Sequence, residues 1–362
     1  MAIPQDRDIE ALKAVLSDWM NTQPGVSGAE VTRLVNPEAS GFSNETLVCD
    51  AVWTANGQSH DSGIVVRKRP TNYAIFPTYD MSVQYRSMQN MAACGAVPVP
   101  EVLWVENTGT VMGEPFFVME RLHGRVPTDN PPFFQEGWVR EATPDQQSVL
   151  YESSIDTLAA VSATDWRATG FDFLDLPRFG PLGFAQQLGY QRFYADWAAE
   201  GRPKPLIDAA LDWFDANDPS GSMPIELNWG DARPSNIMYG EDFRVMAVFD
   251  WEMADLGPGE VDLGWFLFMN RYLSEGAGID WLPGFTDRAG TIARWERKRG
   301  RPAEHMNYFE AWGCLRFSII MVAIVNMQVK YGYLSAEDGA QYERVNPSTQ
   351  MLAGYLNLPD PK

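Results

Sequence analysis

The sequence predicts an α+β protein with a small antiparallel β lobe followed by a larger, mostly helical lobe. Its 362 residues exceed what one ordinary core holds, and 45% of them are apolar, which is enough for two cores. Short segments rich in β-branched residues are concentrated in the first third of the chain, and long helical periods follow. The loop HGRVPTDNPP (123–132) separates the two regions, which predicts lobes at 1–122 and 123–362.

The N-terminal lobe is predicted to contain five strands and one main helix after a leading helix. Residues 8–20 place apolar side chains at helical spacing, and residues 80–95 do so again before Gly95 ends the helix. The strand segments are short and are bounded by turn-forming residues. They cover residues 30–35, 45–53, 62–69, 101–109 and 115–122.

The C-terminal lobe is predicted to be helical apart from one region. Helical periods cover residues 148–166, 188–201, 206–217 and 305–331. The run FSIIMVAIVNM (317–327) is shorter than the roughly 20 apolar residues that span a bilayer, so we expect a buried helix there. Between residues 225 and 250, three short apolar strands alternate with polar loops.

Three polar residues lie in and after these loops. Asp231 starts one loop, Asn236 ends it, and Asp250 ends the next strand. A loop followed by a strand hairpin can bring the two carboxylates and the amide to one rim. Such oxygen ligands suit Mg²⁺, and a carboxylate that does not bind the metal can accept a proton from a hydroxyl group. The alternative is that Asp and Asn serve here as ordinary turn residues.

Charge and cysteine content exclude several classes of protein. The net charge of −20 disfavours binding to nucleic acid or to anionic membranes. Three widely separated cysteines indicate neither a disulfide framework nor a zinc site, and the N-terminus lacks the apolar stretch of a signal peptide. We therefore expect a cytoplasmic protein without nucleic-acid or membrane partners. The sequence does not predict its oligomeric state.

The stretch WGDARPSNIMY…VFDWEMADLGPGEVDLGWF resembles the signature of the aminoglycoside phosphotransferase family, which has the bilobal protein-kinase-like fold. The family reads His-Gly-Asp, an Asn five residues after the Asp, an apolar strand ending in Asp-Trp-Glu, and Asp-Leu at a helix start. Protein kinases have a parallel pattern. The segments VVRKRP (65–70) and DWRATGF (165–171) have near equivalents in the kinase-like domains found with acyl-CoA dehydrogenases, the subgroup that the chain most resembles.

This resemblance implies a catalytic set and a metal-binding set. Asp231 would orient the substrate hydroxyl and accept its proton. Asn236 and Asp250 would bind Mg²⁺. Asp262 would support the catalytic loop, and Glu252 would be a supporting or metal-adjacent carboxylate.

The resemblance also implies an ATP site in the N-terminal lobe. Neighbours in a strand face opposite ways, so only one of Arg67 and Lys68 would contact the α- and β-phosphates, and the family register favours Arg67. Gln84 replaces the Glu that pairs with this cation, and Trp229 replaces the His of the signature. The other implied contacts are loop residues on the phosphates and backbone groups on the adenine: Ser40, Gly41, Ser43 and Asn44, then Glu120 and Leu122.

We expect an ATP- and Mg²⁺-dependent phosphotransferase with an alcohol group as acceptor. The family and the acidic charge favour an aminoglycoside. The basic segment RWERKRGR (294–301) is typical of a solvated helix end, and the alternative is an anion site at the substrate mouth. The subgroup and this alternative favour a hydroxyacyl compound or its coenzyme A ester. The alternative is a nucleotide-binding pseudokinase that acts as a sensor or partner, because Gln holds a cation less firmly than Glu. A metal-dependent phosphohydrolase would leave the phosphate loop and hinge without a purpose.

Overall fold

The computed structural model describes residues 8–36, 43–359 and 361, and the chain divides into two units. The first unit contains the residues up to 89 together with 100–123. The second contains 90–99 together with 124–362. The segment 90–99, which the sequence analysis assigned to the first lobe, therefore belongs to the second unit.

The first unit is built on an antiparallel sheet. The elements that begin in it are α1 (Ile9–Met20), β1 (Val26–Val35), β2 (Glu45–Ala55), β3 (Gln58–Lys68), α2 (Met81–Cys94), β4 (Val102–Glu106) and β5 (Phe116–Glu120). The five strands are ordered β1-β2-β3-β5-β4. Asn56 and Gly57 have φ angles of +52° and +80°, as expected for an Asn-Gly hairpin turn between β2 and β3. Leu16 of α1 belongs to the same buried cluster as Leu47 and Val66 of the sheet.

The second unit is mostly helical and contains short strands. Its elements are α3 (Trp138–Glu141), α4 (Pro144–Ser162), α5 (Phe184–Ala199), α6 (Pro205–Ala216), β6 (Glu226–Asn228), β7 (Ile237–Tyr239), β8 (Val245–Val248), β9 (Asp255–Gly257), α7 (Glu260–Leu273), α8 (Arg288–Arg299), α9 (Met306–Lys330), α10 (Ala336–Arg344) and α11 (Pro347–Leu356). The strands form two antiparallel pairs, β6 with β9 and β7 with β8. The predicted α+β fold, rich in strands first and in helices afterwards, is confirmed.

α9 is the long apolar helix of the second unit. Among the described residues it alone has the length and hydropathy of a membrane span, and 83% of its apolar window is buried. It packs against α5, α7, α10 and α11. Core helices commonly reach this length and apolarity, and the apolar run at 317–327 lies inside this helix as predicted.

Two glycines set how closely α7 and α9 approach each other. A Cβ atom added at Gly264 would lie 2.4 Å from the carbonyl carbon and oxygen of Phe309, which are backbone atoms of α9. A Cβ atom added at Gly313 would lie 3.1 Å from the Cα atom of Trp265. The two backbones are therefore in contact at this crossing, and the side chains beside it have little freedom.

We expect Gly264→Ala to lower the free energy of unfolding by about 1–3 kcal/mol, because its methyl group would overlap backbone atoms of α9. Gly354→Ala in α11 is the matched control. Nothing lies within 4 Å of its Cβ position, so the higher helix propensity of Ala should stabilise the protein by about 0.5–1 kcal/mol. Urea denaturation measures both effects, and equal stabilities would contradict the tight crossing.

Candidate active site

The loop of residues 229–236 joins β6 to β7 and carries Asp231 and Asn236. Near its start, Gly230 has a φ angle of +94°, and its Cβ position is 2.0 Å from the carbonyl oxygen of Met253, so only glycine fits there. Pro234–Asn236 form a 3₁₀ turn at its end. The turns at both ends fix the side chains between them.

Asp231 is 7% exposed and accepts hydrogen bonds from three side chains. The Nδ2 atom of Asn236 lies 2.7 Å from Oδ2, and the Nε1 atom of Trp265 lies 3.0 Å from Oδ1. The Nε atom of Arg233 is shared, at 2.9 Å from Oδ1 and 3.1 Å from Oδ2. A carboxylate has about four lone-pair sites, so these donors fix its orientation and still leave room for a further donor.

Arg233 connects Asp231 to Asp129, with which it forms a second ion pair. Burial disfavours the charged guanidinium, but the neighbouring carboxylates, Asp129 first, outweigh this effect and raise the pKa of Arg233. The side chain is therefore a permanent cation among carboxylates. The sequence analysis identified neither Arg233 nor Asp129 as part of the site. The only signal was a charged residue two positions after Asp231, and Asp129 lies 104 residues from Arg233.

Asn236 and Asp250 lie at one end of the hairpin formed by β7 and β8. The backbone N–H of Phe249 donates to the carbonyl of Asn236 at 2.9 Å, which extends the strand pairing to the residue before Asp250. Asp250 has a φ angle of +58°, so the chain turns sharply where the strand ends. The NH₂ group of Asn236 is used on Asp231, and its amide oxygen is the atom that can bind a cation. An amide oxygen and a carboxylate are ligands of the kind that Mg²⁺ prefers.

Asp262, in the first turn of α7, holds the loop through its backbone. Its carboxylate oxygens accept the N–H groups of Trp229 at 2.6 Å and Gly230 at 2.8 Å. Burial raises the pKa of Asp262 to about 7, although these N–H groups and the nearby Arg316 oppose the shift. These two hydrogen bonds hold the loop backbone against α7, and the supporting role that the resemblance implies for Asp262 stays a prediction.

Trp229, which replaces the His of the family signature, bonds the loop to the hairpin. Its Nε1–H is directed at the carbonyl oxygens of Phe249 at 2.7 Å and Asp250 at 3.1 Å. The side chain is completely buried. The single N–H donor of the indole therefore joins the loop to the hairpin, so the loop stays attached although Trp replaces His. Glu252 is half-buried two residues after Asp250, and its role stays a prediction.

Arg67 and Lys68, the two adjacent cations of the sequence analysis, lie on opposite faces of β3. Lys68 is 7% exposed, lies on the same strand face as Val66 and forms an ion pair with Glu45 at 3.0 Å. Arg67 points to the other face, where its Nη1 atom donates to Oγ1 of Thr46 at 2.9 Å. Lys68 is occupied by a buried structural pair, so Arg67 is the candidate for a phosphate contact.

The other nucleotide-binding candidates lie in the first unit. They are Ser43 and Asn44 just before β2, Gln84 on α2, and Glu120 and Leu122 at and after the end of β5. Ser40 and Gly41, which were also predicted to contact the phosphates, lie outside the described residues. Ser43, Asn44 and Gln84 are all buried. The Glu120 carboxylate accepts the backbone N–H of Glu101 at 2.9 Å, which fixes the chain at the end of β5.

The basic segment 294–301 forms the last turns of α8 and the residues after it. Four of its side chains pair with carboxylates of α4, β6 and α7: Arg294 with Glu152 and Asp156, Lys298 with Asp156, Arg299 with Glu226, and Arg301 with Glu226 and Glu260. An anion site would need cations without such partners. These pairs tie α8 to its neighbours and argue against the alternative of an anion site formed by the four side chains.

Comparison with known proteins identifies relatives of this chain. The sequence model of the phosphotransferase enzyme family, APH, matches residues 65–303. Acyl-CoA dehydrogenase family member 11 of Rattus norvegicus is 25% identical over 353 residues, which cover 93% of this chain and 42% of that protein. The chain spans less than half the length of the curated relatives that it matches.

Solved structures share the fold. A candidate aminoglycoside phosphotransferase from Ralstonia eutropha JMP134 superposes with a TM-score of 0.66 at 24% identity, over 95% of this chain and 98% of that chain. The GDP and kanamycin complex of the aminoglycoside phosphotransferase APH(2″)-IIIa gives a TM-score of 0.57 at 12% identity, over 94% of this chain and 97% of that chain. The predicted protein-kinase-like fold is confirmed.

Asp255 is a second carboxylate close to the loop, and its side chain is half-buried. Its Oδ1 atom accepts hydrogen bonds from Asn228 at 2.9 Å and Gln187 at 2.7 Å. Burial raises the pKa of Asp255 to about 6, whereas the unfolded chain has a value of about 3.9. The folded state therefore binds more protons between these values. The contribution of Asp255 to stability is complete below about pH 4 and is lost as the pH rises through about 6.

As the pH rises from about 4 to about 7, we expect the free energy of unfolding to decrease less in Asp255→Asn than in the wild type. The amide keeps the Oδ1 acceptor for Asn228 and Gln187 but does not ionise. Urea denaturation across this range measures the effect. Asp280→Asn, a change of an exposed carboxylate, is the matched control and should follow the wild-type curve. Parallel curves for Asp255→Asn and the wild type would contradict this account.

Proposed function

Because the chain belongs to the phosphotransferase enzyme family, we propose that it is a small-molecule kinase that transfers the γ-phosphate of ATP to a hydroxyl group of its acceptor. The observation that carries the proposal is the position of the Asp231 carboxylate. Three side chains donate hydrogen bonds to it, and its loop also carries Asn236 and leads into the hairpin that Asp250 follows. Phosphoryl transfer to an alcohol needs a group that accepts the proton of the hydroxyl and ligands for the metal ion. Asp231 can serve as the first, and Asn236 and Asp250 can serve as the second.

Asp231 would orient the acceptor hydroxyl and accept its proton. Its donors hold both carboxylate oxygens, so the remaining lone pair has a defined direction. The hydroxyl that donates to this lone pair is presented to the γ-phosphate with its own lone pair free for attack. Positioning of this kind, rather than covalent chemistry, is the main contribution of a protein to phosphoryl transfer.

Asn236 and Asp250 would hold Mg²⁺. When bound, this ion neutralises negative charge on the β- and γ-phosphates. Two protein ligands suffice because Mg²⁺ retains water and phosphate oxygens in its coordination shell. Asn236 also donates to Asp231, so one side chain would link the metal to the proton acceptor. Among the described residues there is no group of three His, Cys, Asp or Glu side chains that could hold a metal.

The nucleotide would be bound by residues of the first unit. Arg67 is the cation proposed for the α- and β-phosphates, since Lys68 is paired with Glu45. Gln84 takes the place of an acidic partner for this cation, and a Gln side chain can accept a hydrogen bond from Arg but cannot form an ion pair with it. This substitution favours the alternative of a pseudokinase, which would bind nucleotide without transferring phosphate.

For the acceptor, we propose a hydroxyacyl compound before an aminoglycoside. The relatives at 25–26% identity are named as acyl-CoA dehydrogenase family members, whereas the protein in the kanamycin complex is 12% identical. The paired state of the basic segment removes one argument for recognition of a coenzyme A phosphate. A panel of free hydroxyacyl compounds, their coenzyme A esters and aminoglycosides would distinguish these classes.

We expect Asp231→Ala to lower turnover of ATP with a responsive acceptor by about 10²–10⁴-fold, because the hydroxyl loses its proton acceptor. ADP release and the phosphorylated product are measured together across the panel. Asp242→Ala, which removes an exposed carboxylate from the turn between β7 and β8, is the control and should retain wild-type turnover. Wild-type rates in Asp231→Ala would refute the kinase proposal, and nucleotide binding without any product would favour the pseudokinase.

We expect Asp250→Ala to weaken the binding of ATP in the presence of Mg²⁺ but to leave binding in excess EDTA unchanged, because only the metal contact is lost. Calorimetric titration under both conditions measures the difference. Asp231→Ala should bind Mg²⁺–ATP as the wild type does. Equal losses in both media for Asp250→Ala would indicate a collapsed site rather than a missing metal ligand.

A further inference from the structure

Trp265 reaches Asp231 from α7, outside the catalytic loop. Its side chain is 1% exposed, and its Nε1 atom lies 3.0 Å from Oδ1 of Asp231. The other two donors, Arg233 and Asn236, belong to the loop itself and move with it. Trp265 is therefore the donor that fixes the carboxylate relative to the helical core of the second unit.

Arg316 lies on α9 beside Trp265. Its guanidinium carbon is 4.8 Å from the centroid of the indole, and its Nη2 atom donates to the carbonyl oxygen of Gly230 at 3.1 Å. Gly230 is the residue immediately before Asp231. Arg316 is 3% exposed, and among the residues that the structure describes its Nη1 atom has no hydrogen-bond partner. One buried cation thus contacts both the indole and the backbone of the loop.

The close crossing of α7 and α9 brings these two side chains together. Gly264 precedes Trp265 in the chain, and Gly313 lies one turn before Arg316. A Cβ atom at Gly264 would overlap the facing backbone, and one at Gly313 would be in tight contact with it. The indole and the guanidinium therefore extend from backbones that are in contact.

We infer that Trp265 and Arg316 form a pair of positioning residues for Asp231. This rests on the proposed function, in which Asp231 accepts the proton of the acceptor hydroxyl. Arg316 holds the indole through a cation–π contact, and the indole N–H holds Oδ1 through a charge-assisted hydrogen bond. The carboxylate is thereby kept in one rotamer while the hydroxyl approaches, and small errors in such geometry reduce rates strongly.

Arg316 also contributes to stability. It opposes the burial-driven rise in the pKa of Asp262 and of Asp255, and removing one member of such a charge group leaves the others uncompensated. A positioning role therefore predicts a loss of turnover at temperatures at which Arg316→Met is still fully folded.

The first test measures the contact itself and does not depend on activity. In protein labelled with ¹⁵N at its 13 tryptophans, the indole signal of Trp265 is the one that Trp265→Phe removes. We expect Asp231→Asn and Arg316→Lys each to shift this signal and to speed its hydrogen exchange. The Trp312 indole, buried and without a hydrogen-bond partner in the described structure, is the internal control and should not respond to Asp231→Asn. A Trp265 signal unchanged in both variants would overturn the inference.

The second test measures turnover with Mg²⁺–ATP and the acceptor found in the panel. We expect Trp265→Phe to lower kcat about 10- to 100-fold, the effect of losing a hydrogen bond to a charged group, with KM for ATP unchanged. The melting temperature should fall in Trp265→Phe and in Trp312→Phe, because both changes leave a cavity in the core. Trp312→Phe makes the same chemical change without removing a hydrogen bond and should retain wild-type kcat. Wild-type kcat in Trp265→Phe would overturn the inference.

The double variant tests whether the two residues act as a pair. Arg316→Met should lower kcat by a similar factor, Arg316→Lys by less, and Trp265→Phe/Arg316→Met by no more than the larger single effect. Multiplicative losses would overturn the pairing. Failure of the proposed function has a different signature, because Asp231→Ala would then turn over normally while the indole signal still responded to Asp231→Asn.

Discussion

The backbone N–H groups of Trp229 and Gly230 both point at one buried carboxylate, that of Asp262, and the geometry of the loop depends on this contact. Buried N–H groups need partners, and at this turn neither is supplied by a strand or a helix. Asp262 fixes the direction of the peptide planes just before Asp231. The Gly230 turn packs against the backbone of Met253 at the same place.

α7 has a central part in this arrangement because it contacts the loop twice. Asp262 in its first turn holds the loop backbone, and Trp265, three residues later, holds the Asp231 side chain. Positions three apart lie on the same face of a helix, so one rigid element sets both contacts. The carboxylate is thus positioned by the core of the second unit as well as by its own loop.

The sequence predicted most of the elements and the three oxygen-bearing residues because their signals are local. Strand and helix periods appear within a few residues, and Asp231, Asn236 and Asp250 lie within 20 positions of one another. The partners of the site are distant in the chain: Trp265 lies 34 residues from Asp231, and Arg316 lies 86 from Gly230. The partners of the basic segment are remote as well, since the carboxylates that pair with four of its side chains lie far away in the sequence.

The indole of Trp229 has a consequence for how this loop responds to its surroundings. A histidine in its place would exchange protons near neutrality and so could gain or lose a donor as conditions change. The indole has one N–H that does not titrate, and that N–H is directed at the carbonyl oxygens of Phe249 and Asp250. The indole contact between the loop and the hairpin therefore does not depend on protonation of the side chain at position 229.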